Sequence, residues 1–403
     1  MRAEIKKGKL HGSISAPPSK SFAHRALICA ALSDGKSEIA GISDSDDIAA
    51  TERCIKALGA DISRKDNSTL IITGRGKNIN PNGIYNCHES GSTLRFMMPV
   101  SILKKGTATL YGTKRLISRG VGVYNELLGK KNVDISLFED KIEINGLLTS
   151  GSYKMPGNIS SQFATGMLLA LPLTGCKSTL EITPPVESRK YIDITIDIMR
   201  RFSACVEEKS PNLFTVHPID SYTPANVQIE GDWSNAAFFL ALKSLGNDVK
   251  VTSLNKNSLQ SDRVCEELFS RLDEKDATID VSGCPDLAPI LFSVAAAKNG
   301  ALFTGTKRLA IKESDRAHCM AEELLKFGIK CEMNDNSLKV LPGDIHRPDT
   351  ELCGHNDHRI VMSLSVLSTI TGGTIMEAEA INKSFPDFFE RLCTLGAKVD
   401  IYE

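Results

Sequence analysis

One alternation of polar and apolar positions recurs six times along the chain. Each copy has a polar start, an apolar run of helix length, a Gly-bearing turn and a β-branched strand. It reads SKSFAHRALICAALSDGKSEIAG from Ser19, SGSTLRFMMPVSILKKGTATLYG from Ser90 and SSQFATGMLLALPLTGCKSTLEI from Ser160. It returns as WSNAAFFLALKSLGNDVKVTSL from Trp233, PDLAPILFSVAAAKNGALFTGT from Pro285 and NDHRIVMSLSVLSTITGGTIMEA from Asn356. The spacing is about 70 residues, shorter only between the fourth and fifth copies. A second, amphipathic helix is predicted after each copy, as in DDIAATERCIKALGADI, SDRAHCMAEELLKFGIKCE and FPDFFERLCTLGAKV. The first helix of each copy is apolar on nearly every side, which predicts burial; the second is predicted to cover the outside. Six units of strand, buried helix, strand and outer helix make an α/β protein.

Two stretches interrupt the repeat. SAPPS at 15–19 carries paired prolines, and DSYTPANVQIEGD at 220–232 is polar and carries Pro224. Three units lie between these breaks and three follow the second. With 403 residues, more than one core is expected. The N-terminal strand precedes the first break, so it is assigned with the last three units. The predicted domains are 1–18 plus 229–403, and 19–228, with two crossings between them, the geometry of a hinge.

The starts of the buried helices carry the candidate chemistry. A helix N-terminus bears a partial positive charge, so acids belong there and cations do not. Yet Lys20, His24 and Arg25 open the first helix, Ser90, Ser92 and Arg95 the second, and Ser160, Ser161 and Gln162 the third. Asp286 opens the fifth, and Asp357, His358 and Arg359 open the sixth. Capping accounts for Ser and Asp at such places. It does not account for Lys20, Arg25, Arg95 and Arg359, because a buried cation needs a partner. If the starts converge, their N–H groups and cations form an anion site suited to several phosphates or carboxylates. Three further segments suit that site, although each alone reads as a solvated charged surface. KRLISRG at 114–120 places Lys114, Arg115 and Arg119 in a loop; IKESDR at 311–316 groups Lys312, Glu313 and Arg316; and NKSFPDFF offers Lys383 ahead of a helix. Asp286 and Glu313 are the carboxylates best placed to serve as acid and base.

Composition narrows the classes. The net charge is -1, from 48 basic and 49 acidic side chains, which offers no field for nucleic acid or an acidic membrane. The 11 cysteines form no CxxC pair or His/Cys cluster at zinc spacing, so a reduced cytoplasmic setting and no structural metal are expected. Neither a signal peptide nor a membrane span is read. DGKS at 34–37 is not a P-loop, since Ala30 stands where the first glycine belongs. No GxGxxG after a strand, GxSxG elbow or HExxH occurs, and His24 and His318 read as ordinary helix residues.

The motifs SKSFAHR, SGSTLR, SSQF, ESRKYIDIT, PDLAP, IKESDR, NDHR and NKSFPDFF, in this order and spacing, give the chain a close resemblance to the 5-enolpyruvylshikimate-3-phosphate synthases. The resemblance covers essentially the whole chain. It implies two domains, each of three repeats around buried parallel helices, the inside-out α/β barrel of the enolpyruvyl transferases, with the active site in the cleft between them. It also implies transfer of the enolpyruvyl group of phosphoenolpyruvate to the 5-hydroxyl of shikimate 3-phosphate, with release of phosphate. Carried over by residue, Lys20, Ser21, Arg25, Ser160, Ser161, Gln162, Ser188, Tyr191, Asp286 and Lys312 would hold shikimate 3-phosphate. Lys20, Gly91, Arg119, Gln162, Arg316, Arg359 and Lys383 would hold phosphoenolpyruvate. Asp286 would take the hydroxyl proton and Glu313 would protonate the methylene carbon, with Lys20 as a catalytic partner. The resemblance implies a cytoplasmic monomer that is a target of glyphosate and needs no cofactor or metal.

Three positions depart from the family pattern. Glu89 stands where many members have Asn, Gly120 where Pro is usual after Arg119, and Arg308 where some have Asn. Three rival readings fit the residues less well. The related transferase acting on UDP-N-acetylglucosamine carries a loop Cys that 112–125 lacks, and starts its first helix with Lys-Asn. An RNA-end-processing enzyme would want a basic surface. A non-catalytic anion binder would have no use for Asp286 and Glu313.

Overall fold

A computed structural model describes residues 1–403, which divide into two compact units, Met1–Pro17 with Gly231–Glu403, and Pro18–Glu230. Both are mixed α/β. The unit Pro18–Glu230 holds three four-stranded sheets, all with one pattern: a parallel pair, then two strands added antiparallel. The first runs Asn226–Gln228, Asp34–Ala40, Thr69–Arg75, Asp61–Asp66. The second runs Ile84–Asn86, Gly106–Tyr111, Lys141–Gly146, Asp134–Leu137. The third runs Ser152–Pro156, Ser178–Thr183, Leu213–Val216, Val206–Ser210.

The other unit repeats the pattern twice. Thr278–Asp280 pairs parallel with Ala301–Thr304, and Leu352–Cys353 with Gly373–Met376; the N-terminal strand Arg2–Lys6 then lies antiparallel between Gly373–Met376 and Lys398–Tyr402. The fourth copy keeps only the parallel pair, His11–Ser15 with Asp248–Thr252. Between Thr252 and Thr278 the chain makes a short 3-10 turn and the helix Cys265–Arg271 but no hairpin, which is why this repeat is shorter. In four copies the apolar helix links the two parallel strands directly. In the first and fourth the partner strand comes from elsewhere: Lys20–Ala31 leads into Asp34–Ala40, which pairs with Asn226–Gln228, and Trp233–Ser244 leads into Asp248–Thr252, which pairs with His11–Ser15. These exchanges fall at the two points where the chain passes from one unit to the other.

The apolar helices are buried along nearly their whole length. In Lys20–Ala31 every residue from Phe22 onward is buried, and in His358–Thr371 every residue from His358 to Thr369. Each large apolar side chain so enclosed contributes about 1.5–3 kcal/mol. Helix Gly91–Ser101 contains Pro99, which cannot donate to the carbonyl of Arg95. The Tyr124 hydroxyl fills that place, donating to Arg95 O at 2.8 Å. Gly166 makes room for it, since a Cβ there would stand 2.3 Å from the Tyr124 oxygen and 2.5 Å from Arg95 O. The second helices are amphipathic: Lys190–Arg201 buries Ile192, Ile194, Thr195, Ile198 and Met199. Residues 114–118, expected as loop, form a short helix. Thr113 Oγ1 accepts from Leu116 N, and Leu116 and Ile117 are buried, so a cap and an apolar anchor outweigh the charges. No helix is long and apolar enough to cross a membrane.

Candidate active site

In the unit Pro18–Glu230, most of the predicted residues lie at the starts of helices Lys20–Ala31, Gly91–Ser101 and Ser161–Ala170, while Ser188 and Tyr191 lie at the start of Lys190–Arg201 and Arg119 closes the short helix Lys114–Ser118. Of the first three starts, two are capped, and the one that carries Lys20 and Arg25 has no side-chain cap. Ser90 accepts from Thr93 N, and Ser160 from Gln162 N. Lys20 reaches Asp47 Oδ2 at 2.6 Å, in the first turn of helix Asp46–Leu58. Arg25 is only 2% exposed. Its Nε donates to Thr195 Oγ1 at 2.8 Å, its Nη1 to Ser21 O at 2.6 Å, and its Nη2 to Thr165 Oγ1 at 3.2 Å and Tyr191 O at 3.1 Å. These are neutral acceptors, and no carboxylate lies within ion-pair distance; burial lowers its pKa to about 10.

Gly91 shows why a side chain is missing there. A Cβ would stand 2.9 Å from Arg95 Nη1 and 3.3 Å from Arg119 Nη1, so two guanidinium groups meet over this stretch of backbone. Gln162 fixes one of them: its Oε1 accepts from Arg95 Nη1 at 2.8 Å while its Nε2 donates to Ser92 Oγ at 3.0 Å. Arg119 has a buried Nε without a hydrogen-bond partner and no carboxylate within ion-pair distance. Ser161 is buried, and Ser188 is buried with a φ of 55°, its carbonyl accepting from Tyr191 N. His24 packs in the interior, as read from the sequence. Its Nδ1 lies 2.7 Å from Thr51 Oγ1, and burial pushes its pKa down to about 3, so it is neutral.

In the unit Met1–Pro17 with Gly231–Glu403, Arg316 is the centre. Its side chain is 1% exposed, and it donates Nε to Asp357 Oδ2 at 2.8 Å, Nη1 to Asp286 Oδ1 at 2.8 Å and Nη2 to Glu313 Oε2 at 2.7 Å. Lys312 reaches Asp286 Oδ1 at 3.2 Å, and Arg359 reaches Asp286 O at 3.1 Å and Asp286 Oδ2 at 3.5 Å. Burial alone would raise the pKa of Asp286, but Arg359, Lys312 and Arg316 together hold it well below the usual carboxylate range. Burial pushes the Lys312 ammonium down. Asp357, completely buried, accepts from Arg359 N at 2.9 Å and Ser314 Oγ at 3.0 Å, so one carboxylate caps helix His358–Thr371 and anchors Arg316. Lys383 donates to Asn356 O at 2.7 Å. Helix Ala288–Ala296 begins two residues after Asp286, which therefore sits in the turn leading into it.

Sequence reasoning missed four supporting residues. Asp47 looked like an ordinary acid at a helix start. Thr165 and Thr195, 2.9 Å apart, gave no signal that they hold Arg25. Asp262 lies buried near Asp286, and burial together with that neighbouring carboxylate pushes it up to about 6.

A family model described as EPSP synthase (3-phosphoshikimate 1-carboxyvinyltransferase) matches residues 5–392. The 3-phosphoshikimate 1-carboxyvinyltransferase of Clostridium kluyveri is 37% identical over 97% of this chain and 96% of its own. The protein of the same name from Clostridium acetobutylicum is 38% identical, again over 97% and 96%. Among solved structures, EPSP synthase from Acinetobacter baumannii superposes with a TM-score of 0.82 over 100% of both chains, at 22% identity. The enolpyruvyl transferase NikO of Streptomyces tendae gives 0.77 over 99% of this chain and 98% of its own, at 17% identity. These two show a shared mixed α/β fold, while the family match and the close relatives extend over almost every residue: the chain belongs to the EPSP synthase family.

Proposed function

We infer that this chain transfers the enolpyruvyl group of phosphoenolpyruvate to the 5-hydroxyl of shikimate 3-phosphate and releases phosphate. The observation that carries the site reading is the state of its cations. Arg25 is buried among neutral acceptors, and Arg119 stands at Gly91 without a carboxylate partner. Positive charge of this kind, buried at Arg25 and half-buried at Arg119, is stabilised by an anionic ligand. We assign Arg25, Ser21, Ser160, Ser161, Gln162, Ser188, Tyr191 and Lys312 to shikimate 3-phosphate. Gly91, Arg119, Gln162, Arg316, Arg359 and Lys383 are assigned to phosphoenolpyruvate, with Lys20 serving both. We read each unit as three repeats of the inside-out barrel architecture, with both residue sets serving one reaction.

The Asp286 cluster supplies the acid–base chemistry. With three cations on it, Asp286 is a weak base. Substrate phosphate and carboxylate groups compete for those same cations, and as they withdraw, its proton affinity rises. The 5-hydroxyl oxygen then bonds to C2 of phosphoenolpyruvate as its proton passes to Asp286. Glu313 delivers a proton to C3, which becomes a methyl group, and a tetrahedral ketal results. In the collapse, C3 returns a proton to Glu313, the enol double bond reforms, the C2–O bond to phosphate breaks, and the proton held by Asp286 leaves with the phosphate. The cations stabilise the departing charge.

The test is phosphate release with phosphoenolpyruvate and each acceptor offered separately. Shikimate 3-phosphate should give turnover and UDP-N-acetylglucosamine none; turnover with the UDP-sugar alone would overturn the assignment.

A further inference from the structure

The sequence shows no metal-binding spacing, but strand pairing creates one. The hairpin of Val206–Ser210 with Leu213–Val216 pairs Val206 with Val216 and Glu207 with Thr215. Its next rung sets Cys205 opposite His217, whose N–H donates to Cys205 O at 3.0 Å. Opposite residues of an antiparallel pair point to one face, and so do residues two apart on a strand. Cys205, Glu207 and His217 therefore share a face, and one donor atom from each lies within 4.8 Å of the others. The next residue, Glu208, points the other way and pairs with Arg189. His217 Nε2 is shielded from solvent and 3.3 Å from Glu207 Oε1, yet makes no hydrogen bond.

We propose that Cys205, Glu207 and His217 form a binding site for a borderline divalent transition metal, zinc in particular, at the open end of this hairpin. A thiolate, an imidazole and a carboxylate are the zinc donor types, with bonds of about 2.0–2.3 Å. Those lengths put tetrahedral donors about 3.3–3.8 Å apart, so the exposed Cys205 and Glu207 must close in on the half-buried His217 by about 1 Å. Magnesium and calcium prefer all-oxygen shells, and a thiolate selects against them. Three protein ligands leave the fourth position to water. The ion clips the edge strand to its neighbour. Lys209, whose ammonium is 2.5 Å from Glu207 Oε2, competes with the metal for the carboxylate.

The test uses the full chain, reduced and metal-free, titrated with Co²⁺ as an optical probe and then with Zn²⁺. One Co²⁺ should bind with the thiolate charge-transfer band and the visible spectrum of a tetrahedral site, and Zn²⁺ should displace it. C205S should abolish the charge-transfer band, and C205S and H217A should each weaken binding about tenfold or more. K209M should tighten it, and Zn²⁺ should raise the melting temperature of wild type but not of C205S. These residues lie outside the proposed catalytic set, so turnover of the variants in metal-free buffer should match wild type. Failure of the enolpyruvyl-transfer reading would leave this result untouched. Absence of a tetrahedral Co²⁺ spectrum, or equal affinity and spectrum in C205S and H217A (as from the exposed Cys176 or Cys393), would overturn the proposal.

Discussion

Arg316→Met asks how much the central guanidinium holds in place. The side chain is 1% exposed and donates to Asp357, Asp286 and Glu313 at 2.7–2.8 Å. Asp357 has no exposed surface, so it cannot turn to water when its cation is removed. Breaking a buried pair from one side costs about 3–5 kcal/mol. For a cooperative unit of about 150–250 residues, that is a fall of about 6–20 °C in melting temperature. The pH dependence fixes the cause. In the wild type, the folded pKa values of Asp286 and Asp357 are depressed, so their stabilisation is present above the unfolded carboxyl value and is lost as pH falls through the folded values. In the variant, burial dominates at Asp357 and raises its folded pKa above the unfolded value. The resulting penalty is full at neutral pH and disappears as pH falls through that raised pKa. Calorimetry of both proteins should therefore show a gap that narrows from about pH 7.5 to about pH 4.5. Adding Asp357→Asn should recover part of the loss, since it removes the stranded charge. A loss below about 1 kcal/mol, the worth of a surface pair, or a gap that fails to narrow, would refute the reasoning.

Three other outcomes follow from the same geometry. Asp286→Asn and Glu313→Gln should each lower kcat about 10²–10⁴-fold while calorimetry still detects shikimate 3-phosphate binding, and near-normal turnover in both would remove them as base and acid. Gly91→Ala places a methyl group 2.9 Å from Arg95 Nη1 and 3.3 Å from Arg119 Nη1. Glyphosate is longer than phosphoenolpyruvate, so its inhibition constant should rise about 10–200-fold while the KM for phosphoenolpyruvate rises less; equal changes would count against this packing argument. Near Cys319, the imidazole of His355 lies 3.1 Å from Glu323 Oε1, and these neighbours push it up to about 10. Its contribution is complete below about pH 6.5 and is lost as pH rises toward about 10, so Glu323→Gln should flatten the alkaline limb of a melting-temperature profile; an unaltered limb would exclude the pair as its source.

The six apolar helices were legible because an all-round apolar run has one stable place, the interior. The cations at their starts were legible because they break the rule for helix termini. Pairing was not. Nothing along the chain says that Asn226–Gln228 completes the sheet of Asp34–Ala40, because strand exchange leaves local hydrophobicity unchanged. Thr165 and Thr195 lie far along the chain from Arg25, on two different helices, and a threonine on a buried helix resembles packing until its partner is known. The helix at 114–118 was hidden by its charges; Thr113 with Leu116 and Ile117 was the available signal. Asp262 sits in a polar turn that reads as loop, and only the fold brings it near Asp286.

Arg25 and Arg316 are buried to the same degree but stabilised differently, and that difference predicts opposite effects of one substitution. Arg316 is matched by three carboxylates; Arg25 has two hydroxyls and two carbonyls. Removing Arg25 strands little. Thr165 and Thr195 keep each other at 2.9 Å, and Thr195 keeps its bond to Tyr191 O at 2.8 Å. Replacing an unmatched buried cation by an apolar side chain of similar length is neutral or stabilising. Arg25→Met should therefore melt at or above the wild-type temperature. Binding should behave in the opposite way. A hydrogen bond to a charged group contributes about 1.5–3 kcal/mol, so affinity for shikimate 3-phosphate should fall about 10–200-fold, and the rise in melting temperature that this ligand gives should shrink with it. Paired melts with and without ligand separate the two effects. A variant that loses about 3 kcal/mol or more of stability without ligand would show that Arg25 holds the fold. Undiminished stabilisation by shikimate 3-phosphate would show that the anion sits elsewhere.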